Sequence, residues 1–400
     1  MDPVEQVVFD VAEHKAVVIG GGIGGLATAC GLVGAGWDVT VYERAPAPRE
    51  VGAGLSVAPN AVRALDWLGL AEPLRAAAQP QGIGVKSRAG RWMVRLREAD
   101  LVGRYGAPMY AMHRGDLHRM LLDAVGADRV CTGHSAVAVD TAEDGAVVHF
   151  ETGSGPREVR ADLVVAADGV HSRVRAGLFP AHTGATYAGY VCWRGIAPAG
   201  VVVPDSDPMW TDTWGRGGRF GAAPLADGKV FWYASAGGPE GSMTEVTLAD
   251  IAARFGAWHA PIADLLAASD PAALLRNDIY YVGDPLPTFT RGRVALLGDA
   301  AHAVTPDIGQ GACLAVEDAV VLAQCVSAHD DVADALRAYD AARRPRTQRL
   351  AAVSGRSARV QQVAHPVAAA LRDLAVRLTP TKVYLEAGAE ALGWRPEPAV

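Results

Sequence analysis

Hydrophobic patterning along this chain changes period several times, and each change marks an element. Lys15-Ala-Val-Val-Ile19 is a compact apolar run of the kind a buried parallel strand shows. It leads directly into Gly20-Gly-Gly-Ile-Gly-Gly25. From there Ile23, Leu26, Cys30 and Val33 recur at helical spacing until Gly34-Ala-Gly36 supplies a stop. Val39-Thr-Val-Tyr42 reads as a second strand ending at Glu43. Residues 52–60 read as a glycine-rich loop with a Pro-Asn turn, followed by a helical pattern through Val62, Leu65 and Leu68. Short alternating stretches between 80 and 110, among them Trp92-Met-Val-Arg-Leu96, predict the first strands of an inserted sheet. A helix resumes at His113-Arg-Gly-Asp116. Turn signals at Glu143-Asp-Gly145 and Gly153-Ser-Gly155 then divide three β runs, a small antiparallel meander ending in Leu163-Val-Val-Ala-Ala167.

From 180 to 290 the pattern alternates again and is rich in turns and aromatics, including Trp193, Trp210, Trp214, Phe220, Phe231, Trp232 and Tyr233. Individually these rings are expected in the core of a sheet, and as a group they could line an aromatic pocket. The apolar strand Val294-Ala-Leu-Leu297 precedes Gly298-Asp-Ala-Ala-His302, and helical patterning runs from Gly311 to the C-terminus. The arginines from Arg343 to Arg359 read as a solvated helix face. The expected fold is α/β. It has a Rossmann-like dinucleotide-binding domain with a parallel sheet, interleaved with a smaller, mainly antiparallel β-sheet substrate domain, and a helical C-terminal region. The expected boundaries are 15–80, 111–180 and 291–330 for the first domain, 81–110 and 181–290 for the second, and 331–400 for the C-terminal helices.

Composition narrows the class. Of 400 residues half are hydrophobic and a fifth charged, which excludes general disorder. Lys and Arg number 37 against 44 Asp and Glu, a net charge of −7, so no overall basic field exists to attract nucleic acid or anionic lipid. Five cysteines lie scattered without metal-ligand spacing, which suits reduced thiols and a cytoplasmic protein with no metal site. Asp2, Glu5, Asp10 and Glu13 are opposite in sign to the basic start of a signal peptide. The uncharged run from residue 16 to 37 is long enough to span a bilayer, but eight of its residues are glycine and it divides into a strand and a helix, so no integral membrane contact is expected.

The order strand, GxGxxG, helix, strand, acid has a physical logic. Gly20 allows the tight turn, Gly22 removes a side chain that would block a pyrophosphate, and Gly25 lets helix and strand pack closely, while the helix N-terminus faces the anion. Glu43 is placed to accept hydrogen bonds from an adenosine ribose. The motif alone does not separate FAD from NAD.

Two further segments decide that question. Asp168-Gly-Val-His-Ser-Arg-Val-Arg175 and Gly298-Asp-Ala-Ala-His-Ala-Val-Thr-Pro-Asp-Ile-Gly-Gln-Gly311, taken with Gly20 to Gly25, resemble the single-component FAD-dependent aromatic hydroxylases, most of all their salicylate and urate hydroxylase-like branch. The resemblance implies a tightly but non-covalently bound FAD, a transient NAD(P)H, and O2. Oxygen would add at flavin C4a, and the hydroperoxide would deliver one atom to an electron-rich aromatic or conjugated small molecule. It implies that Gly20, Gly22, Gly24 and Gly25 form the pyrophosphate loop and that Glu43, with Arg44 and Ser56 nearby, holds the ribose. Ala136 would border the adenine, Arg114 would contact the phosphate or ribityl region, Asp168 would serve both nucleotides, and Asp299 would receive a ribityl hydroxyl. Pro306 and the run Gly309, Gln310, Gly311 and Ala312 would lie along the flavin ring. The Gly309-Gln-Gly311 turn opens a helix whose free N–H groups suit the negative charge of a reduced flavin. Phe231 stands where the urate branch would place a tyrosine, which argues against urate.

Among side chains that could act directly, His302 is a candidate base, with a structural role the alternative. Arg219, among glycines in the presumed substrate sheet, is expected either to neutralise a substrate carboxylate or phenolate or to be a surface arginine. Ser172 lacks a GxSxG elbow, which disfavours hydrolase chemistry. The alternatives are an epoxidase or Baeyer–Villiger-type oxygenase on the same scaffold and, from another class, a non-catalytic binding protein, which would want a damaged cofactor loop. A monomer or homodimer is expected.

Overall fold

A computed structural model describes residues 14–47, 53–203 and 208–397; the acidic residues of the first thirteen positions and Gly52 lie outside these. The chain opens with β1 (Lys15–Ile19), α1 (Ile23–Gly34) and β2 (Asp38–Tyr42), as the periodicity predicts. The stretch read as a glycine loop is instead β3 (Gly54–Val57), and the Pro-Asn turn is the first turn of α2 (Pro59–Trp67). Proline fits there because the first helical position needs no N–H and wants its fixed φ. Next come α3 (Ala71–Ala77), β4 (Gln79–Ser87), β5 (Trp92–Leu96), α4 (Glu98–Tyr105), β6 (Met109–His113) and α5 (Arg114–Val125). Then follow β7 (Val130–Cys131), β8 (His134–Thr141), β9 (Ala146–Thr152), β10 (Gly155–Ala161), β11 (Leu163–Ala166) and α6 (Arg173–Leu178). The second half begins with β12 (Thr186–Ala197), β13 (Met209–Trp214), β14 (Gly218–Pro224), β15 (Val230–Gly237), α7 (Leu248–Phe255) and α8 (Ile262–Ala268). It continues with β16 (Leu275–Tyr281), β17 (Thr290–Arg291), β18 (Val294–Leu296), α9 (Asp299–His302) and α10 (Gly311–Ala328). The chain finishes in α11 (Val332–Gln361), α12 (Pro366–Leu378), α13 (Thr381–Ala387) and α14 (Ala389–Leu392).

Three sheets result. The first runs β17-β18-β11-β1-β2-β7 and is parallel except at β17. Its fully buried strands explain the unbroken apolar runs in the sequence. The meander is β8, β9 and β10 only. At Asp162 the chain leaves it, and Leu163–Ala166 enters the parallel sheet between β1 and β18, because this run is apolar on both faces. The third sheet runs β16-β12-β15-β14-β13-β4-β6-β3, with β5 on β4. Thus β3 and β6 join this large sheet. Its outer face carries Trp193, Phe220 and Trp232 under α7 and α8, two helices the alternating pattern did not announce.

The long helices α10 and α11 are joined through buried charge. The fully buried Asp318 accepts from the Gly298 N–H at 3.0 Å, pairs with His302 Nε2 at 2.5 Å and accepts from Arg343 Nε at 2.6 Å. Its neighbour Glu317 binds Arg343 and Arg346, each at 2.8 Å, and accepts from Asn60 Nδ2 at 2.7 Å. Arg343 is therefore core, not a solvated face, because two buried carboxylates of α10 require its charge. Alone among the described helices α10 is long and apolar enough to cross a membrane, but most of it is buried inside this fold.

Burial alone would raise the Asp318 carboxyl, yet His302 and Arg343 hold it well below the ordinary carboxylate range. Since the folded value is depressed, the contribution is full above the unfolded value of about 3.9 and is lost progressively as pH falls from there toward the folded value. Asp318→Asn is expected to cost about 3–5 kcal/mol at neutral pH. Urea titrations from pH 7 to pH 3 should show a shallower acid decline for the variant than for the wild type.

Candidate active site

The loop between β1 and α1 is shaped by close approach. Gly20 sits at φ +106°, and a Cβ there would lie 2.4 Å from the Ala167 carbonyl oxygen. A Cβ on Gly25 would lie 1.9 Å from the Gly20 oxygen, and one on Gly24 3.0 Å from Leu297. These glycines let α1 pack on the strand ends. Gly22 differs, since a Cβ there meets nothing within 4 Å. It is the N-cap of α1 and no side chain caps the helix, so the N–H groups of the first turn face open space suited to an anion. Glu43 anchors the loop by accepting from the Gly21 N–H at 2.7 Å and the Ala45 N–H at 2.8 Å, and each carboxylate oxygen keeps capacity for a further donor. His118 of α5, which the sequence reading missed, lies 2.7 Å from the Gly21 oxygen. Arg44 is exposed beside Glu43, and Ala136 lies at a bulge in β8.

Asp168 follows β11 and faces the same loop. One oxygen accepts from the Val174 N–H at 3.2 Å, and the other is buried without a partner among the described residues. Ser172 caps α6, which accounts for it without catalysis. Arg175, nearly inaccessible, donates to the Val170 carbonyl and, at 2.8 Å, to that of Ala300, so it ties the Asp168 segment to α9. At the start of α9, Asp299 is open to solvent along one side, and no hydrogen bond reaches its carboxylate among the described residues. Close packing on its other sides pushes the carboxyl up from its ordinary value, against the pull of His302, Arg114 and Arg175. Arg114, at the start of α5, is lowered by burial and sustained by Asp299.

The third part is the turn before α10. Pro306 is exposed and opens a single helical turn, Gly309 follows at φ +64°, and Gln310 is the N-cap without a side-chain cap. A Cβ on Gly309 would touch Ser56 Oγ at 2.9 Å, which places Ser56 of β3 against the turn. Gln310 accepts from Asn60 at 2.9 Å while its Nε2 is buried without a partner among the described residues, and Ala312 lies half-buried in the first turn. An open helix start, an unpaired oxygen on Asp168, an unbonded carboxylate on Asp299 and an uncapped α10 together fit a dinucleotide running from Gly22 to Gln310.

Two candidates are reassigned. His302 is buried, packs on Phe289 with centroids 5.6 Å apart, and commits Nε2 to Asp318, so its imidazole supports Asp299 from behind rather than acting as a base in the groove. Arg219 is neither surface nor free for a substrate carboxylate. It is buried on β14 between Asp212 at 2.9 Å and Asp307 at 2.5 Å, and it also bonds Gln361 and, at 3.1 Å, the Tyr233 hydroxyl. Burial would lower its pKa, but Asp212 and the groups around it hold it well above its ordinary value. Tyr190 donates to Asp307 at 2.5 Å. Asp212, Asp307, Tyr190 and Tyr233 were missed as a cluster. Only the alternation that puts Trp210, Asp212 and Trp214 on one face of β13, and Phe231 and Tyr233 on the matching face of β15, could have hinted at it.

Gly22→Val should leave the thermal midpoint nearly unchanged, because its side chain enters open space, yet purify with little flavin absorbance. Asp299→Ala should likewise lose flavin. Full occupancy in either variant, measured from the visible spectrum against protein concentration, would contradict these placements.

Comparison with known proteins agrees with this geometry. Residues 13–354 match the FAD binding domain family. Aurachin C monooxygenase/isomerase of Stigmatella aurantiaca is 37% identical over 364 residues, covering 90% of this chain and 93% of that protein. The FAD-dependent urate hydroxylase of Klebsiella pneumoniae is 37% identical over 340 residues, covering 84% and 87%. The crystal structure of Klebsiella pneumoniae HpxO complexed with FAD and uric acid superposes with a TM-score of 0.87 at 31% identity, over 97% of this chain and 98% of that one. The chain therefore belongs to the FAD binding domain family and is an FAD-dependent monooxygenase.

Proposed function

We propose that this monooxygenase hydroxylates a neutral, electron-rich aromatic or heteroaromatic ring seated on the inner face of the large sheet, with NAD(P)H as reductant and O2 as oxygen source. The observation that carries the substrate class is the charge around Arg219. One guanidinium serves two carboxylates, Asp212 and Asp307, so the cluster has no positive charge left for an aromatic carboxylate. A neutral phenol-like or amide-like ring avoids that conflict.

The residues on this face suit such a ring. Trp210 and Phe231 lie 5.4 Å apart, and Tyr233 lies 6.2 Å from Trp210 and 6.0 Å from Phe231. A Cβ on Gly221 would fall 2.0 Å from the Tyr233 ring, so glycine lets that ring cross β14. Arg219 donates to the Tyr233 oxygen, which leaves the tyrosine O–H to donate in turn. Burial, then Asp212, pushes Tyr233 up, so it remains a proton-bearing donor suited to a substrate carbonyl or hydroxyl oxygen. Asp307 ties this cluster to the turn before α10 and so relates a bound ring to the flavin groove.

Gly20 to Gly25, Glu43, Asp168, Asp299 and the start of α10 would hold FAD. Bound there, FAD supplies electron transfer and oxygen activation, which side chains cannot. The protein's own part is to orient the ring, favour negative charge at the α10 N-terminus and keep water out. With one nucleotide fingerprint in the chain, NAD(P)H is a transient visitor. Epoxidation or Baeyer–Villiger-type insertion is a second outcome open to the same scaffold, and the aurachin C relative is by name both a monooxygenase and an isomerase.

NADH and NADPH oxidation should be stimulated by neutral phenols or hydroxylated heteroaromatics, with oxygen consumed and hydroxylated product formed. Stronger coupling with salicylate-type carboxylates than with their neutral counterparts would overturn the charge argument. Tyr233→Phe should keep flavin and thermal midpoint but lower kcat/KM about tenfold, about 1.4 kcal/mol, in steady-state assays.

A further inference from the structure

Helix α12 presents an apolar face that no other described residue covers. Val367, Leu371, Leu374 and Leu378 are 61%, 62%, 52% and 71% exposed, although the chain is otherwise able to bury residues of this type. Their spacing of four, three and four places them on one side of the helix. The opposite side is anchored through Ala369 and Arg372. Arg372 is buried, donates to the carbonyls of Gln361 and Gly215 at 3.1 and 3.0 Å, and stacks 5.2 Å from the Trp214 ring. The helix orientation is therefore held, and the leucines face outward by construction.

The segment that carries this face has an excess of positive charge. Between residues 355 and 386 the chain carries Arg356, Arg359, Arg372, Arg377 and Lys382 against Asp373 and Glu386. Both acids are already matched, Asp373 by Arg372 at 2.8 Å and Glu386 by Lys382 at 3.8 Å. Arg356, Arg359 and Arg377 are exposed and have no ion-pair partner among the described residues. This stands against the chain's overall charge of −7. A second copy of the chain is poorly matched to such a face, since two copies would bring the same excess of positive charge together. An anionic bilayer matches both features. The leucines enter the headgroup and acyl boundary while the arginines meet lipid phosphates.

We propose that α12 is an interfacial helix that seats this enzyme on anionic membrane surfaces. Val360 near the end of α11 and Val383 in α13, the helices on either side of α12, are exposed as well. The docked face lies behind the Gly215–Gly218 turn that precedes Arg219, so the substrate sheet would stand beside the bilayer.

The test is flotation of the FAD-loaded enzyme with phosphatidylcholine vesicles and with vesicles also containing phosphatidylglycerol. The wild type should float with the anionic vesicles, weakly or not at all with the neutral ones, and less at high salt. Leu371→Asp with Leu374→Asp should lower the bound fraction at least about tenfold while leaving flavin content, thermal midpoint and NADH oxidation unchanged. Arg356→Glu with Arg359→Glu and Arg377→Glu should remove the preference for anionic lipid without touching an apolar residue. Failure of the wild type to float with anionic vesicles would overturn the proposal. So would light scattering that shows a stable dimer which the leucine substitutions convert to monomer, since a second copy would then cover the face.

Discussion

The buried carboxylate of Asp318 is the constraint on which the site depends. It holds the Gly298 N–H at the end of β18, the imidazole of His302 in α9 and the guanidinium of Arg343 in α11. A charge this deep is tolerated only because every direction around it supplies a donor. The consequence reaches the cofactor groove. The Gly298 anchor fixes where Asp299 begins its helix, and Glu317, one residue away, fixes Asn60 and through it Gln310 at the start of α10. Asp299 and the α10 N-terminus come from one rigid network, so their relative placement does not rely on loop packing.

A second charged cluster joins the two large sheets. Arg219 belongs to the antiparallel sheet and Asp307 to the turn before α10, and their contact, with Gln361 of α11, spans the seam between substrate face and flavin groove. The two clusters differ in balance. Around Asp318 and Glu317 the carboxylates meet Arg343, Arg346 and His302, whereas around Arg219 two carboxylates share one cation. The first arrangement is suited to holding backbone in place. The second leaves the Tyr233 hydroxyl to donate and no spare positive charge, which favours a neutral ring carrying its own polar group.

The exposed stripe on α12 shows how a local surface can differ from the whole. Net charge averages over a chain whose acids and bases are not evenly spread, and it excluded an anionic surface only for the molecule taken as a uniform body. Inward, the same helix braces Trp214 through Arg372, and outward it offers leucine and arginine.

The sequence by itself determined the elements whose cause is local: β1, the glycine loop, α1, β2 and Glu43, the apolar β18 followed by Asp299, and the helical tail. Period, glycine spacing and helix stops act within a few residues of one another, so the chain displays them directly. The three cofactor segments were legible for the same reason. Only the tertiary structure decided that Gly54–Val57 is a strand, that Leu163–Ala166 leaves the meander for the parallel sheet, and that α7 and α8 cover the aromatic face. It alone turned Arg343 from a surface residue into a core one and Arg219 from a candidate substrate ligand or surface arginine into a shared counterion. The physical reason is that burial and pairing of charge depend on partners distant in the chain. Arg219 finds Asp307 across 88 positions and Gln361 across 142, and no local pattern encodes such a meeting.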